Sequence, residues 1–207
     1  MKQVMIATAN QGKAKEFKHL FDQYGIEVKT LLDFPDYPEI PETGTTFIEN
    51  ATIKATTAAK GLHIPVIADD SGLAVDALNG APGVYSARYA GLEKSDAHNR
   101  QKVLDEMVDV QDEDRGATFH TYLVVADADG QVISQYHGTL SGVIIREERG
   151  ENGFGYDPIF YLPSEGLTTA EMSAEKKDSI SHRGNALRLL AKDLESGELK
   201  LYEDTDY

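Results

Sequence analysis

The chain has 207 residues, 41% hydrophobic and 27% charged, a composition typical of a globular protein with a sizeable core. Twenty Lys and Arg against 35 Asp and Glu give a formal net charge of −15, which disfavours nucleic acid or an anionic membrane as a partner. The absence of cysteine excludes disulfide scaffolds, cysteine-ligated zinc, iron–sulfur clusters and thiol nucleophiles.

Hydrophobic periodicity predicts strands and helices that alternate along the first half of the chain, followed by a central hairpin. Turn residues separate these elements, with Gly25, Gly61 and Gly197 expected just beyond the ends of helices. The predicted elements in chain order are strand 4–8, a turn at 10–12, helix 13–24, strand 28–32, helix 46–60, strand 66–68, helix 95–107, strands 117–126 and 131–145, strand 159–162 and helix 181–194.

This order of elements predicts an α/β fold with an elongated mixed β-sheet flanked by helices, arranged as two lobes around a central cleft. We expect a single domain over residues 1–207, with the acidic tail at about 203–207 frayed. The first apolar stretch is too short for a signal peptide, and no run approaches the ~18 apolar residues that span a bilayer. We therefore expect a cytoplasmic location.

Residues 8–13, Thr-Ala-Asn-Gln-Gly-Lys, join the first predicted strand to the first predicted helix. Main-chain N–H groups at a helix start attract anions and Lys13 adds a positive charge, so the segment is typical of a phosphate-binding turn. It is not a Walker A motif, because the first glycine is missing and Ala14 stands where Ser or Thr would hold magnesium. The alternative is an ordinary strand-to-helix turn with an exposed lysine.

Two adjacent carboxylates, Asp69 and Asp70, follow directly after the strand predicted at 66–68. Strand ends in α/β proteins face the ligand crevice, and paired carboxylates without a basic neighbour favour a hard cation such as Mg²⁺. An ionised aspartate can ligate this metal or accept a proton from water. Because adjacent residues of an extended strand point to opposite faces, we expect one of the two to face the crevice. The alternative is a polar turn.

Glu42 lies just ahead of the helix that is predicted to open at Thr46, and it can supply another metal oxygen. Thr46 and Glu49 form a capping-box pattern, so Glu49 is expected to cap the helix first and to act as a ligand second. Asn50 and Lys54, four residues apart, share one helix face. The alternative for Lys54 is a solvated surface charge.

Aromatic and charged side chains stand among glycines in two later segments. Phe154 and Tyr156 suit a flat ligand that stacks on a ring, although ordinary packing is the alternative for both. Asp157, His182 and Arg183 offer acceptors and donors for reading the edge of a base. The last two also lie at the start of the final predicted helix, which favours an anion nearby.

Taken in order, these segments resemble the motifs of the inosine triphosphate pyrophosphatase family, most closely those of its bacterial members, the dITP/XTP pyrophosphatases. The resemblance covers nearly the whole chain. The matching motifs are residues 8–13, 42–44 with 47–51, 68–73, 80–89, 153–158 and 181–184.

The resemblance implies Mg²⁺-dependent hydrolysis of dITP, ITP and XTP to the monophosphate and pyrophosphate, which keeps these non-standard purine nucleotides out of DNA and RNA. It also implies a homodimer and a nucleotide in the central cleft. Asp70 matches the proton acceptor and a metal ligand, and Glu42 matches a second metal-binding acid; Asp69 is our second choice for these roles. Ala9 is a small departure, since many members have Gly or Ser there.

The resemblance further implies which residues contact the substrate, with the triphosphate held by the earlier positions and the base by the later ones. The lysines among them would neutralise the phosphates. The matching positions are Thr8, Ala9, Asn10, Gln11, Gly12, Lys13, Lys54, Ser71, Phe154, Gly155, Tyr156, Asp157, Lys177, His182 and Arg183.

Two other functions stay open at this point. One is a nucleotide-binding regulator without turnover, although the acidic pair argues against it, because a phosphate binder has little use for extra negative charge unless a metal is recruited. The other is a related pyrophosphatase that acts on pyrimidine or modified nucleotides.

Overall fold

A computed structural model of the protein describes residues 2–202, so the acidic tail that we predicted to fray lies outside the described residues. Twelve strands and helices occur in this part of the chain. They are β1 Lys2–Ile6, α1 Gln11–Asp22, β2 Ile26–Thr30, α2 Phe47–Leu62, β3 Val66–Val75, α3 Asp96–Glu106, β4 Gly116–Ala126, β5 Val132–Ile144, β6 Phe160–Leu162, β7 Leu167–Thr168, α4 Ala174–Ile180 and α5 His182–Ser196.

The strands form a seven-stranded sheet in the order β2-β1-β3-β4-β5-β6-β7. β1 pairs in parallel with β2 and β3, whereas β6 pairs antiparallel with β5 and β7. The sheet is therefore mixed and flanked by helices, which confirms the predicted α/β class.

β1 is buried on both of its faces. Val4 and Ile6 belong to the same apolar cluster as Phe17 of α1, while Met5 and Ala7 belong to a second apolar cluster with the alanines of α2. Alternate residues of a strand point to opposite faces, so a short run without polar residues is what a doubly covered parallel strand requires. The carboxyl end of this strand leads directly into segment 8–13.

The described residues form two compact units. Within the described part of the chain, the first unit draws on residues 2–70, 122–138 and 184–202, and the second on residues 71–121 and 139–183. Two apolar clusters lie in the first unit and one in the second. The single domain with two lobes around a cleft stays a prediction.

Helix α1 has the predicted apolar face, but it spans Gln11–Asp22 and so lies two residues earlier in the chain than predicted. The side-chain Oδ1 of Asn10 caps its start by accepting a hydrogen bond from the main-chain N–H of Lys13 at 3.0 Å. Its buried face is formed by Ala14, Phe17, Leu20 and Phe21. Among the helices described within residues 2–202, none has the length and apolar content needed to cross a membrane.

β3 differs from the prediction. We expected a strand over 66–68 that stops before the acidic pair, but β3 runs through Val75, so Asp69 and Asp70 lie inside the strand. Two consecutive carboxylates are typical of turns when they are solvated. Here lysines contact both of them, and the chain continues as a buried strand.

Two helix predictions also need correction. α2 was expected to stop before Gly61, but it continues to Leu62, and His63 takes the left-handed conformation beyond its end with a φ of 57°. α5 agrees with the prediction to within two residues, but the separate helix α4 before it was not predicted. At seven residues, α4 is too short to show a clear apolar period.

Candidate functional site

A group of acidic and basic side chains gathers in the first unit, beyond the carboxyl end of β1 and along the middle of β3. Asp69 and Asp70 of β3 are 0% and 4% exposed, so both carboxylates are withdrawn from bulk solvent. Charges buried this deeply require compensating charges nearby. The structure supplies these from α1, α2 and the loop before α2.

Each aspartate has its own lysine. Nζ of Lys13 lies 3.0 Å from Oδ1 of Asp69. Nζ of Lys54 lies 3.0 Å from Oε1 of Glu42 and 3.6 Å from Oδ1 of Asp70. The five residues are called the carboxylate–lysine cluster below. Lys54 is 8% exposed, so the alternative of a solvated surface lysine is wrong.

The electrostatics of the cluster set Asp70 apart. Burial raises the pKa of the Asp70 carboxyl to about 6, against the opposing effect of Lys54 and Lys13 and with smaller contributions from Glu42 and Asp69. Burial alone would lower the pKa of Lys54, but the surrounding carboxylates outweigh burial and raise it, so this lysine stays charged. The site thus combines a fixed cation with a carboxylate that titrates close to neutral pH.

The donor set of the cluster fits a hard divalent cation. Oδ2 of Asp70 is buried and has no hydrogen-bond partner among residues 2–202, and Glu42 adds a second carboxylate that shares Lys54 with Asp70. No group of three or more His, Cys, Asp or Glu side chains in that part of the chain is arranged to enclose a metal. Two carboxylates suit Mg²⁺, because this ion keeps several waters and takes further oxygens from substrate phosphates.

The loop that carries Glu42 is held by α2. The side-chain Oδ1 of Asn50 accepts a hydrogen bond from the main-chain N–H of Gly44 at 2.8 Å. Asn50 and Lys54 are both buried, on the shared helix face that their spacing predicts. Glu49 accepts hydrogen bonds from the main-chain N–H of Thr45 at 2.7 Å and closes a capping box, so its predicted capping role is confirmed.

Segment 8–13 forms the expected strand-to-helix turn. Thr8 is buried, and its Oγ1 accepts a hydrogen bond from the main-chain N–H of Asn10 at 3.1 Å. Ala9 and Gln11 are exposed and Gly12 is half-buried. The turn therefore presents its backbone to solvent beside Lys13 at the start of a 12-residue helix, where an anion would meet favourable N–H dipoles.

A second group lies in the second unit and centres on the ring of Phe154. Nζ of Lys177 lies 5.0 Å and the guanidinium carbon of Arg183 lies 5.7 Å from the ring centroid, both within cation–π range. Nζ of Lys177 also donates to Oδ2 of Asp157 at 2.6 Å. We call Phe154, Asp157, Lys177 and Arg183 the aromatic–cation cluster.

Asp157 holds this cluster together from inside. It is 2% exposed, and besides Lys177 its carboxylate accepts hydrogen bonds from the main-chain N–H of Phe154 at 3.0 Å and from Oγ1 of Thr169 at 2.7 Å. We expected Asp157 to accept a hydrogen bond from a base. Its partners within the protein support a structural role instead, while contact with a nucleotide stays a prediction.

The neighbouring residues of α5 are also buried. The ring of His182 stacks on Phe119 with centroids 4.7 Å apart and an interplanar angle of 14°. Nη2 of Arg183 donates to Oγ of Ser71 at 2.8 Å, so two of the residues predicted to contact the substrate lie together. Sequence reasoning missed Phe119, although the alternating pattern of β4 puts its side chain on the buried face.

Tyr156 packs in the apolar cluster of the second unit and is 5% exposed. Its hydroxyl donates a hydrogen bond to the main-chain carbonyl of Ser86 at 2.6 Å, and burial raises its pKa. The side chain of Tyr156 is therefore a packing residue, which is the alternative that the sequence left open. Phe154 is only half-buried, in keeping with a stacking platform.

Comparison with known proteins bears on both groups. The model of the Ham1 family matches residues 4–193, which is most of the chain. The chain belongs to the Ham1 family. Proteins named dITP/XTP pyrophosphatase from Listeria monocytogenes and Geobacillus kaustophilus are 57% and 55% identical to this Ham1 protein, over 194 and 190 residues. These matches cover 94% and 92% of this chain and 95% and 93% of the relatives.

Solved structures agree with the Ham1 assignment. The Staphylococcus aureus Ham1 protein is 47% identical with a TM-score of 0.81, and the match covers 95% of this chain and 100% of that one. A HAM1 protein from Coxiella burnetii is 44% identical with a TM-score of 0.83 and the same coverage. The family resemblance and the fold class predicted from sequence are thereby confirmed.

Proposed function

We propose that this Ham1 protein is a Mg²⁺-dependent nucleoside triphosphate pyrophosphatase, which hydrolyses dITP, ITP and XTP to the monophosphate and pyrophosphate and so keeps them out of DNA and RNA. The observation that carries the proposal is the buried carboxylate–lysine cluster with its unpartnered Asp70 oxygen. The substrate class is supported by the relatives at 55–57% identity that are named dITP/XTP pyrophosphatase.

The carboxylate–lysine cluster handles the triphosphate in this proposal. Phosphoryl transfer depends more on charge neutralisation and alignment than on covalent help from the protein. Glu42 and Asp70 would hold Mg²⁺, which when bound neutralises phosphate charge during cleavage of the α–β anhydride. Lys13 and Lys54 add positive charge, and the main-chain N–H groups of Gln11 and Gly12 in the first turn of α1 provide dipoles for the phosphate oxygens.

Asp70 is the general base of the proposed reaction. Its Oδ2 orients the attacking water and accepts its proton, while the water oxygen bonds to the α-phosphorus and pyrophosphate leaves. A carboxyl with a pKa of about 6 is ionised at neutral pH yet more basic than an ordinary aspartate. Asp69 is the second choice, because Lys13 already pairs with its carboxylate at 3.0 Å.

The aromatic–cation cluster holds the base. The half-buried ring of Phe154 offers a stacking surface, with Lys177 and Arg183 beside it. A 6-keto purine accepts hydrogen bonds from donors such as Arg183 and His182. The exocyclic amine of adenine brings donor against donor, at about 1–3 kcal/mol for each unpaired buried group. Guanine shares the 6-keto group, so its rejection acts on the 2-amino side or through the shape of the site.

A substrate panel tests the proposal directly. Pyrophosphate release is followed for ITP, dITP, XTP, GTP and ATP with Mg²⁺, and we expect the first three to be the best substrates. Equal kcat/KM values for ITP and ATP would contradict the selectivity. Efficient turnover of pyrimidine or methylated nucleotides would indicate the related pyrophosphatase, and tight ITP binding without pyrophosphate would indicate a regulator.

Variants of the carboxylates test the assigned roles. Asp70→Asn should lower kcat by at least roughly 10³-fold while the circular dichroism spectrum stays that of the wild type. Glu42→Gln should raise the Mg²⁺ concentration needed for half-maximal activity. Asp76→Asn serves as the matched control, because Asp76 is an exposed carboxylate just beyond β3. Activity retained by Asp70→Asn but lost in Asp69→Asn would reassign the base.

A homodimer and a cytoplasmic location complete the proposal. The homodimer is supported by the family resemblance, and the location by a sequence without cysteine or a long apolar run. Light scattering at assay concentration tests the first, where a monomer mass would contradict it. Cell fractionation with an antibody against the chain tests the second.

A further inference from the structure

The loop that carries Phe154 uses its own main-chain donors internally. The N–H of Phe154 donates to Oδ2 of Asp157 at 3.0 Å, and the N–H of Asp157 donates to the carbonyl of Phe154 at 3.2 Å. Gly153 and Gly155 have φ angles of 72° and 59°, in the left-handed region that favours glycine. The loop is therefore a tight turn fixed on its inner side by Asp157.

Helix α3 holds the outer side of the same loop. Oδ2 of Asp96 accepts a hydrogen bond from the main-chain N–H of Gly155 at 2.9 Å. Nη1 of Arg100 donates to the carbonyl oxygen of Gly155, also at 2.9 Å, and its Nε pairs with Glu148. Asp96 and Arg100 are one helical turn apart, so a single helix face contacts both polar groups of one glycine. Each contact involves a charged group, which makes it stronger than a neutral hydrogen bond.

These contacts fix the backbone on both sides of Phe154. Its own N–H, bound by Asp157, belongs to the peptide plane before the residue. The N–H of Gly155, bound by Asp96, belongs to the peptide plane after it. With both planes held, the φ and ψ of Phe154 are restricted, and so is the direction in which its ring leaves the chain. Asp96 and Arg100 can thus orient the ring through the backbone, without needing to contact the ring itself.

We propose that Asp96 and Arg100 are positioning residues that set the tilt of the Phe154 ring and thereby the strength with which the enzyme binds a purine base. The proposal rests on the proposed function, since it assigns Phe154 to the base. It also narrows base recognition. The N–H groups of Phe154, Gly155 and Asp157 are already used within the protein, so these three main-chain donors do not read the 6-keto edge.

The test compares a substrate that has a base with one that lacks it. Pyrophosphate release is measured for ITP and for ribose 5-triphosphate with the wild type, Asp96→Ala, Arg100→Ala and the conservative variant Asp96→Asn. We expect each alanine variant to raise KM for ITP by roughly 5- to 20-fold with kcat changed less than about twofold. KM for ribose 5-triphosphate should stay within about twofold, and Asp96→Asn, which keeps an acceptor oxygen, should recover most of the ITP affinity.

Gln101→Ala is the matched control, because Gln101 is an exposed residue of α3 beside Arg100 and its side chain donates a hydrogen bond to Asp105 of the same helix. It should leave both substrates unchanged. If the alanine variants raise KM for both substrates equally, or lower kcat for both, the pair acts on the fold as a whole and the proposal is overturned. Unchanged KM for ITP in both alanine variants overturns it as well.

Failure of the proposed function has a different signature. A wild type that binds ITP but releases no pyrophosphate contradicts the proposed enzymatic activity. The positioning role of Asp96 and Arg100 can then be tested by calorimetry, where Arg100→Ala should raise the Kd of ITP by the same factor. A wild type that neither binds nor hydrolyses any purine triphosphate contradicts both proposals.

Discussion

Replacing Asp70 with asparagine should remove activity and, at the same time, stabilise the metal-free protein. In the folded protein, burial raises the pKa of this carboxyl to about 6 from its ordinary value of 3.8. Between about pH 4 and pH 6, the Asp70 carboxyl is therefore protonated in the folded state but already ionised in the unfolded chain. At higher pH, ionisation of the buried Asp70 carboxyl lowers the stability of the folded wild type. Asparagine has nearly the same shape but never ionises, so the variant avoids this loss.

The magnitude follows from the size of the shift. Two pKa units correspond to about 3 kcal/mol in the free energy of unfolding. Because the pKa is raised in the folded state, the wild type loses this stability as the pH rises from 4 to 6. The advantage of Asp70→Asn should thus be near zero at pH 4, grow through pH 5 and stay constant above about pH 6.5. For a chain of 207 residues, 3 kcal/mol amounts to roughly 6–12 °C in melting temperature.

The assay is thermal unfolding of both proteins with a chelator, from pH 4 to pH 8, followed by circular dichroism. Added Mg²⁺ should narrow the difference at pH 8, because it stabilises the wild type by binding to the folded state. Asp76→Asn, at an exposed position, should change stability by less than about 0.5 kcal/mol throughout. A difference between Asp70→Asn and the wild type that is absent at pH 8, or equal at pH 4 and pH 8, would refute the reasoning.

Other substitutions have equally definite outcomes. Lys54→Met removes the positive charge that Glu42 and Asp70 share, so urea unfolding should show a loss of about 3 kcal/mol and kcat/KM should fall roughly 100-fold, while Lys29→Met, at a half-buried position outside the cluster, changes neither. Gly153→Ala puts a Cβ 2.1 Å from Oδ2 of Asp157 at a φ of 72° and should lower stability by about 1–3 kcal/mol and weaken ITP binding. Tyr156→Phe removes one hydrogen bond in the core and should lower stability by about 1 kcal/mol, with KM for ITP within twofold; a large rise in KM with no loss of stability would contradict the packing role.

The elements that sequence predicts well are those with a strong apolar period. The buried face of α1 follows from the 3.6-residue repeat, and the capping box of α2 follows from Thr46 and Glu49. β1 follows from a short apolar run, although it spans Lys2–Ile6 and not the predicted 4–8. β3 was predicted too short because Asp69 and Asp70 are unfavourable in an isolated strand. Only the lysines that neutralise them, which come from distant parts of the chain, make that strand possible.

In the candidate site, too, some features follow from the sequence and others depend on tertiary packing. Motif resemblance named Lys13, Glu42, Lys54 and Asp70, but it does not tell which lysine pairs with which carboxylate, because those distances depend on tertiary packing. The contacts of α3 with Gly155 join residues 55 and 59 positions apart and leave no local pattern in the sequence.

The charge balance of the carboxylate–lysine cluster has a consequence for how cation and nucleotide meet. With three ionised carboxylates and two lysines, the group has a formal charge of minus one, which repels a bare polyphosphate. A single divalent ion would reverse that sign and turn repulsion into attraction. Such a centre discriminates against uncomplexed nucleotides, so cation and nucleotide should bind with positive cooperativity.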